Sequence, residues 1–277
     1  MNYRHAFHAG NFADLLKHAL LLEVMARLEG ASPLCVIDTH AGAGLYALDS
    51  PEARRTGEAE AGIVRLMADA AAPAEFAPLK RAVGRLNRSG PISRYPGSPL
   101  LIAGRLGPRD RLIACEAEPG AHAALRQTLT PFRGAEAVRG DGWRLGLQRA
   151  PKAPARLLVL IDPPFEAAND ADQVAALTRS LLRVNPAAVI VVWAPLKDLA
   201  SLYALFAALE AAAGRHEAMT VEMRLRPPLD PLRFNGCALV VINPPDGVDQ
   251  AVRPTGDWIA RTCGEGGEVR IQRRAKA

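Results

Sequence analysis

The chain has 277 residues, a formal net charge of +5 and a pI near 9.3. Apolar residues make up 49% and charged residues 23%, a balance that supports a packed core. No run approaches the roughly 18 consecutive apolar residues of a membrane span, and the polar opening MNYRHAFHAGN lacks the apolar centre of a signal peptide, so a cytoplasmic protein is expected. The length suits one large α/β domain with an insertion, or two small domains. The moderate basic excess raises the expectation of a polyanionic partner such as nucleic acid without identifying one. Cys35, Cys115, Cys237 and Cys263 form no C-x-x-C pair and read as reduced, buried thiols.

In chain order, residues 12–29 carry Leu15, Leu16, Ala19, Leu20, Leu22, Val24 and Leu28 at helical spacing, with Asn11 as a cap and Gly30 at the end. LCVIDT (34–39) reads as a strand followed by the glycine turn HAGAG. From 49 to 95 the chain reads as two short helical stretches with no strand between them, a helical insertion. Ser98-Pro99 is expected to open a helix, serine as cap and proline at the first helical position. RLIACE (111–116) is a strand, EPGAHAALRQTL a helix, AVRGD (137–141) the end of a strand, and LLVLID (157–162) the next strand. Helix is expected over 170–184, strand over 187–194, helix over 197–212, and a closing antiparallel pair from VEMRLR (221–226) and CALVVIN (237–243). Aliphatic runs without polar alternation, separated by helices, predict a parallel sheet covered on both faces.

In such sheets ligands bind outside the carboxyl ends of the strands. Four predicted strands end on acids: Asp38, Glu116, Asp141 and Asp162. One such end is ordinary; four point to a shared polar ligand. The glycines of DTHAGAG allow a close backbone approach, although the turn departs from G-x-G-x-x-G and disfavours a NAD-dependent dehydrogenase. Glu116 suits ribose hydroxyls, because a carboxylate accepts two hydrogen bonds at once. It lies roughly 70 residues beyond the glycine turn, where about 20 is usual, and the insertion accounts for the excess. Asp141 suits an adenine amine or a plain helix cap.

IDPPFE (161–166) carries the most specific signal. An exocyclic adenine amine is a poor nucleophile, because its lone pair is delocalised into the ring. A carboxylate and a rigidly aimed carbonyl, each taking one N–H, orient the nitrogen and hold electron density where attack occurs. Asp162, the Pro163 carbonyl and a stacking platform at Phe165 supply those parts. Asn243-Pro244-Pro245-Asp246 also follows a strand but lacks the aromatic ring, and it reads as a turn.

D-P-P-F after a strand resembles the D/N-P-P-aromatic motif of S-adenosylmethionine-dependent amino-group methyltransferases. YRHAFHAGNFADLLKH at 3–18, DTHAGAG at 38–44, RTGE at 55–58, NRSG with YPGSP at 87–99 and IDPPFE at 161–166 look like the RlmJ family. The resemblance covers most of the chain and thins after about residue 167. Phe165 stands where many relatives have tyrosine.

The resemblance implies a Rossmann-like class I methyltransferase sheet over 1–48 and 96–277, with an inserted helical subdomain at 49–95. It implies methylation of one adenine N6 in 23S ribosomal RNA using S-adenosylmethionine; no obligate protein partner is evident in the sequence, and a monomer is expected. Lys17, His18, His40, Gly42, Ser98, Glu116, Asp141, Gly142 and Asp162 match cofactor-contacting positions. Tyr3 and His5 match a tail over the adenine, beside the catalytic group Asp162, Pro163 and Phe165. Basic residues of the insertion and of the C-terminal tail VRIQRRAKA are expected to hold phosphates. No metal is expected: a zinc site from His5, His8 and His18 lacks a strong thiolate or carboxylate partner. The rival readings are the same chemistry on DNA adenine or a protein glutamine, and a non-catalytic RNA-binding factor on the same fold.

Overall fold

The computed structural model describes residues 7–30, 32–152, 155–227 and 234–276. Its frame is an eight-stranded sheet. The parallel part comprises β1 (Leu34–Asp38), β4 (Arg111–Glu116), β5 (Ala135–Arg139), β6 (Arg156–Ile161) and β7 (Val189–Leu196), side by side as β5-β4-β1-β6-β7. Beyond β7 the sheet turns antiparallel through β9 (Gly236–Ile242), β8 (Ala218–Arg224) and an edge strand, β10 (Glu268–Arg274). This is the mostly parallel, Rossmann-like class I methyltransferase architecture that the resemblance implies.

The aliphatic strands are buried on both faces because alternate side chains feed two cores. Leu158 and Leu160 join one core with α1 (Phe12–Arg27), α5 (Ser98–Ala103), α6 (Pro119–Leu129) and α10 (Val248–Cys263). Leu157, Val159 and Ile161 join the other with α8 (Asp170–Val184) and α9 (Leu199–Ala213). Asn11 caps α1 as expected, accepting from the Asp14 N–H at 3.0 Å. The helix ends at Arg27, short of Gly30.

Between β2 (Leu45–Ala47) and β3 (Arg94–Pro96), an antiparallel pair, the insertion holds α2 (Pro51–Thr56), a helical stretch ending in α3 (Arg65–Ala68), and α4 (Ala77–Leu86). Ile63, Leu66, Phe76, Leu79 and Val83 lie in the same core as α1. The Phe76 and Trp258 rings meet edge-on at 5.4 Å, and the Trp258 indole donates to Asp69 at 2.7 Å.

Three expectations need correction. Gly97 holds the cap position of α5, and Ser98 lies inside its first turn. The closing antiparallel pair is a trio, because residues 268–274 form β10. The basic tail is therefore a strand whose arginines are engaged: Arg273 pairs with Glu217, Asp246 and Asp249, and Arg274 donates to the Gly214 carbonyl at 3.0 Å. The α10 helix was not anticipated, because Pro254 inside it reads as a breaker.

Candidate active site

Parallel strands deliver their carboxyl ends to one edge of the sheet. Asp38 ends β1, Glu116 ends β4, and Asp141 and Asp162 lie just beyond β5 and β6. The chain order reverses between β1 and β6, so the crevice of the switch point opens among these acids.

Asp38 is fully buried. The Ser98 hydroxyl donates to its Oδ2 at 2.6 Å and the His40 N–H to its Oδ1 at 3.3 Å. Burial pushes this carboxyl up to about 7; the Ser98 hydrogen bond opposes the shift. A hydrogen bond to a buried carboxylate is stronger than one to a backbone amide, which is why Ser98 serves Asp38 and not the helix end. His40 is half-buried, meets Thr39 Oγ1 through Nδ1 at 2.7 Å and packs edge-on against Trp143 at 4.6 Å. Burial pulls its pKa down to about 4 against the nearby Asp162, Asp141 and Asp170 charges, so the ring is neutral at pH 7.

Glu116 is held by two backbone donors, Gly42 N–H at 2.9 Å and Glu118 N–H at 2.8 Å. Gly42 has φ +64°, and a Cβ there would run into the Tyr46 hydroxyl. Gly142 admits the start of α7 (Gly142–Gln148) against the Thr39 carbonyl, where any Cβ would collide. Asp141 caps that helix, accepting from Trp143 N–H at 2.9 Å.

At the D-P-P-F corner, Lys17 Nζ binds Asp162 Oδ2 at 2.6 Å and Asp14 Oδ1 at 3.0 Å. Lys17 is 4% exposed, so α1 drives a buried cation into the corner. Pro163 is buried and Pro164 exposed. Phe165 adopts φ +50°, a left-handed conformation rare for an aromatic residue. Its ring lies 6.3 Å from Trp193, and its carbonyl accepts from Lys197 Nζ at 2.7 Å. Asp14, Trp193 and Lys197 were given no role from sequence, although VVWAPLK ends at the same sheet edge as Asp162.

The other residues fall elsewhere. His18 is buried and bonded through Nδ1 to the Tyr95 hydroxyl at 2.7 Å. His8 meets Glu58 at 2.9 Å, apart from His18, and the Glu58 hydrogen bond raises its pKa. Among the described residues no group of three His, Cys, Asp or Glu is placed to hold a metal. Tyr3 and His5 lie outside the described residues. Asn243 emerges at the opposite edge, because β9 runs antiparallel, and its amide donates to the Pro186 and Ala188 carbonyls at 3.0 and 2.8 Å. The second Pro-Pro is thus a turn remote from the acids.

The family model described as "Ribosomal RNA large subunit methyltransferase D, RlmJ" matches residues 31–274. The ribosomal RNA large subunit methyltransferase J of Escherichia coli is 33% identical over 94% of this chain and 92% of its own length. The protein of the same name from Haemophilus influenzae is 31% identical over 95% and 94%. The crystal structure of LPL1258 from Legionella pneumophila superposes with a TM-score of 0.87 at 25% identity, covering 96% of this chain and 98% of that one.

Proposed function

The chain belongs to the RlmJ family of ribosomal RNA large subunit methyltransferases, and from that premise we propose that it methylates N6 of a single adenine in 23S ribosomal RNA, using S-adenosylmethionine. The observation that carries this reading is the meeting of Asp38, Glu116, Asp141 and the D-P-P-F corner at one sheet edge.

The donor set fits a nucleoside cofactor. Glu116, oriented by two amides, keeps lone pairs for ribose hydroxyls. The left-handed Gly42, where a Cβ would strike the Tyr46 hydroxyl, keeps the turn tight enough for its N–H to reach Glu116. Asp141 and Gly142 supply a carboxylate and a close-packed helix start for the base. S-adenosylmethionine, when bound, supplies an electrophilic methyl group whose sulfide leaves without needing an acid.

The remaining work is positioning by the chain. The target adenine leaves its stack to enter the crevice. Phe165 stacks its face. Asp162 accepts one N–H of the amine while Lys17 fixes the carboxylate through Oδ2, and the Pro163 carbonyl accepts the other. The 49–95 lobe, with exposed Arg54, Arg55, Arg81 and Arg85, supplies phosphate contacts.

The test is methylation of unmodified ribosomal RNA, DNA and a glutamine peptide side by side, with the product mapped by mass spectrometry. N6-methyladenine in 23S RNA alone is expected. Asp162→Ala should cost on the order of a hundredfold or more in single-turnover rate, with cofactor binding measured separately, Asp162→Asn less, and Phe165→Tyr should be nearly neutral. Wild-type turnover in Asp162→Ala would reduce the corner to a turn.

A further inference from the structure

The D-P-P-F corner is held in a conformation that its own residues do not favour. Phe165 has φ +50°, a region that Cβ crowding against the backbone makes costly for an aromatic residue. Phe165 therefore needs an outside hold. Two residues from the end of β7 reach it. Trp193 takes the ring edge-on at 6.3 Å. Lys197, just past the strand, donates from Nζ to the Phe165 carbonyl at 2.7 Å. Trp193 also lies under Lys17 Nζ, 5.7 Å from its ring centroid, and Lys17 holds Asp162. The end of β7 thus touches both parts of the corner: the platform directly and the carboxylate through Lys17.

We infer that Lys197 is a positioning residue for the adenine platform, a charged clamp on the Phe165 carbonyl that keeps the ring in its left-handed pose. A charge-assisted hydrogen bond to a carbonyl is strong enough to hold a disfavoured backbone state. Lys197 is exposed, so its ammonium adds nothing to the core and its substitution opens no cavity. The clamp rests on the reading of Phe165 as the stacking platform. Its structural half stands apart from that reading.

The test takes the full chain with Lys197→Met and Lys197→Arg, alone and on Phe165→Gly. Glycine is at ease with positive φ and needs no clamp. At saturating 23S RNA, Lys197→Met should lower the single-turnover rate about tenfold, with S-adenosylmethionine affinity and Tm unchanged. Lys197→Arg should recover most of the rate, because it restores a donor. On Phe165→Gly, Lys197→Met should cost nothing further, since the two substitutions remove one interaction. Additive losses would overturn the clamp. So would a Lys197→Met defect confined to RNA affinity with a shallower salt slope, which would make Lys197 a phosphate contact. If the wild type fails to methylate RNA, the functional reading fails, and the clamp is then decided by a crystal structure of Lys197→Met. Phe165 departing from φ +50° supports it, and Phe165 unmoved overturns it.

Discussion

Glu116 and His40 illustrate how single residues at the strand ends divide their tasks. Glu116 spends one hydrogen bond per oxygen on backbone amides, so its orientation is set before any ligand arrives. Glu116→Ala should weaken S-adenosylmethionine binding roughly ten- to hundredfold, the equivalent of about 1.5–3 kcal/mol for a lost charged acceptor. Calorimetry giving unchanged affinity would remove it from the cofactor site. His40 carries a pH signature instead. Its folded pKa near 4 lies below the unfolded value of 6.5, so the unfolded chain binds the extra proton between those limits. Stability from this residue is present above pH 6.5 and lost as pH falls toward 4. Asp38 acts oppositely: its raised folded pKa of about 7 costs stability as pH rises from about 4 to 7. Between pH 7 and 5 the ligand-free His40→Asn variant should therefore gain Tm relative to wild type, the Asp38 contribution being common to both. An unchanged Tm difference across that range would mean that the ring takes up its proton in the fold as readily as in the unfolded chain.

At the scale of elements, the insertion is anchored in the core while its arginine side stays exposed. The insertion is not a detachable RNA arm: Ile63, Leu66, Phe76 and Leu79 are fully buried in the core that α1 and α10 share. Deleting 52–90 would expose that core and report on unfolding. Arg81 and Arg85 offer the cleaner probe. They stand four residues apart on the exposed side of α4, away from buried Leu79 and Val83. Replacing both with Gln should leave Tm unchanged and reduce the slope of log affinity against log salt by about 1.4–1.8. RNA titrations at two salt concentrations measure this, and an unaltered slope would take both arginines off the phosphates.

For the molecule as a whole, the edge strand β10 closes the sheet that carries the site. It pairs along β8, seats Val269 against Gly256 of α10, and sends Arg273 into three carboxylates. Removing 267–277 should lower Tm by at least about 5 °C, the shift expected for roughly 2 kcal/mol in a chain of this size. A truncated chain with wild-type Tm and a shallower salt slope for RNA would return these arginines to the role of a phosphate arm.

Much of this was legible in the sequence, because its signals are local. Unalternating aliphatic runs report strands buried on both faces, and LLVLID followed by Pro-Pro-Phe reports a rigid corner at a strand end wherever the chain later folds. The four acids declared themselves as strand-terminal residues, and parallel connectivity alone brings their ends to one edge. Other features depended on partners far away in sequence. Ser98 reads as a cap until Asp38, 60 residues earlier, takes its hydroxyl at 2.6 Å. The tail reads as a free basic arm until Glu217, Asp246 and Asp249 neutralise Arg273. Lys17 matches a cofactor-contacting position by resemblance, but nothing local marks its pairing with Asp162, and Lys197 carries no local mark at all. Their hold on the corner emerges only when α1 and β7 carry them to Asp162 and Phe165, 145 and 32 residues away. The sequence by itself determined the parallel frame and its acidic strand ends, because periodicity and the residue that ends each strand are properties of neighbouring residues. Only the tertiary structure decided which cations hold the corner, because that depends on which distant groups the fold brings within hydrogen-bond reach.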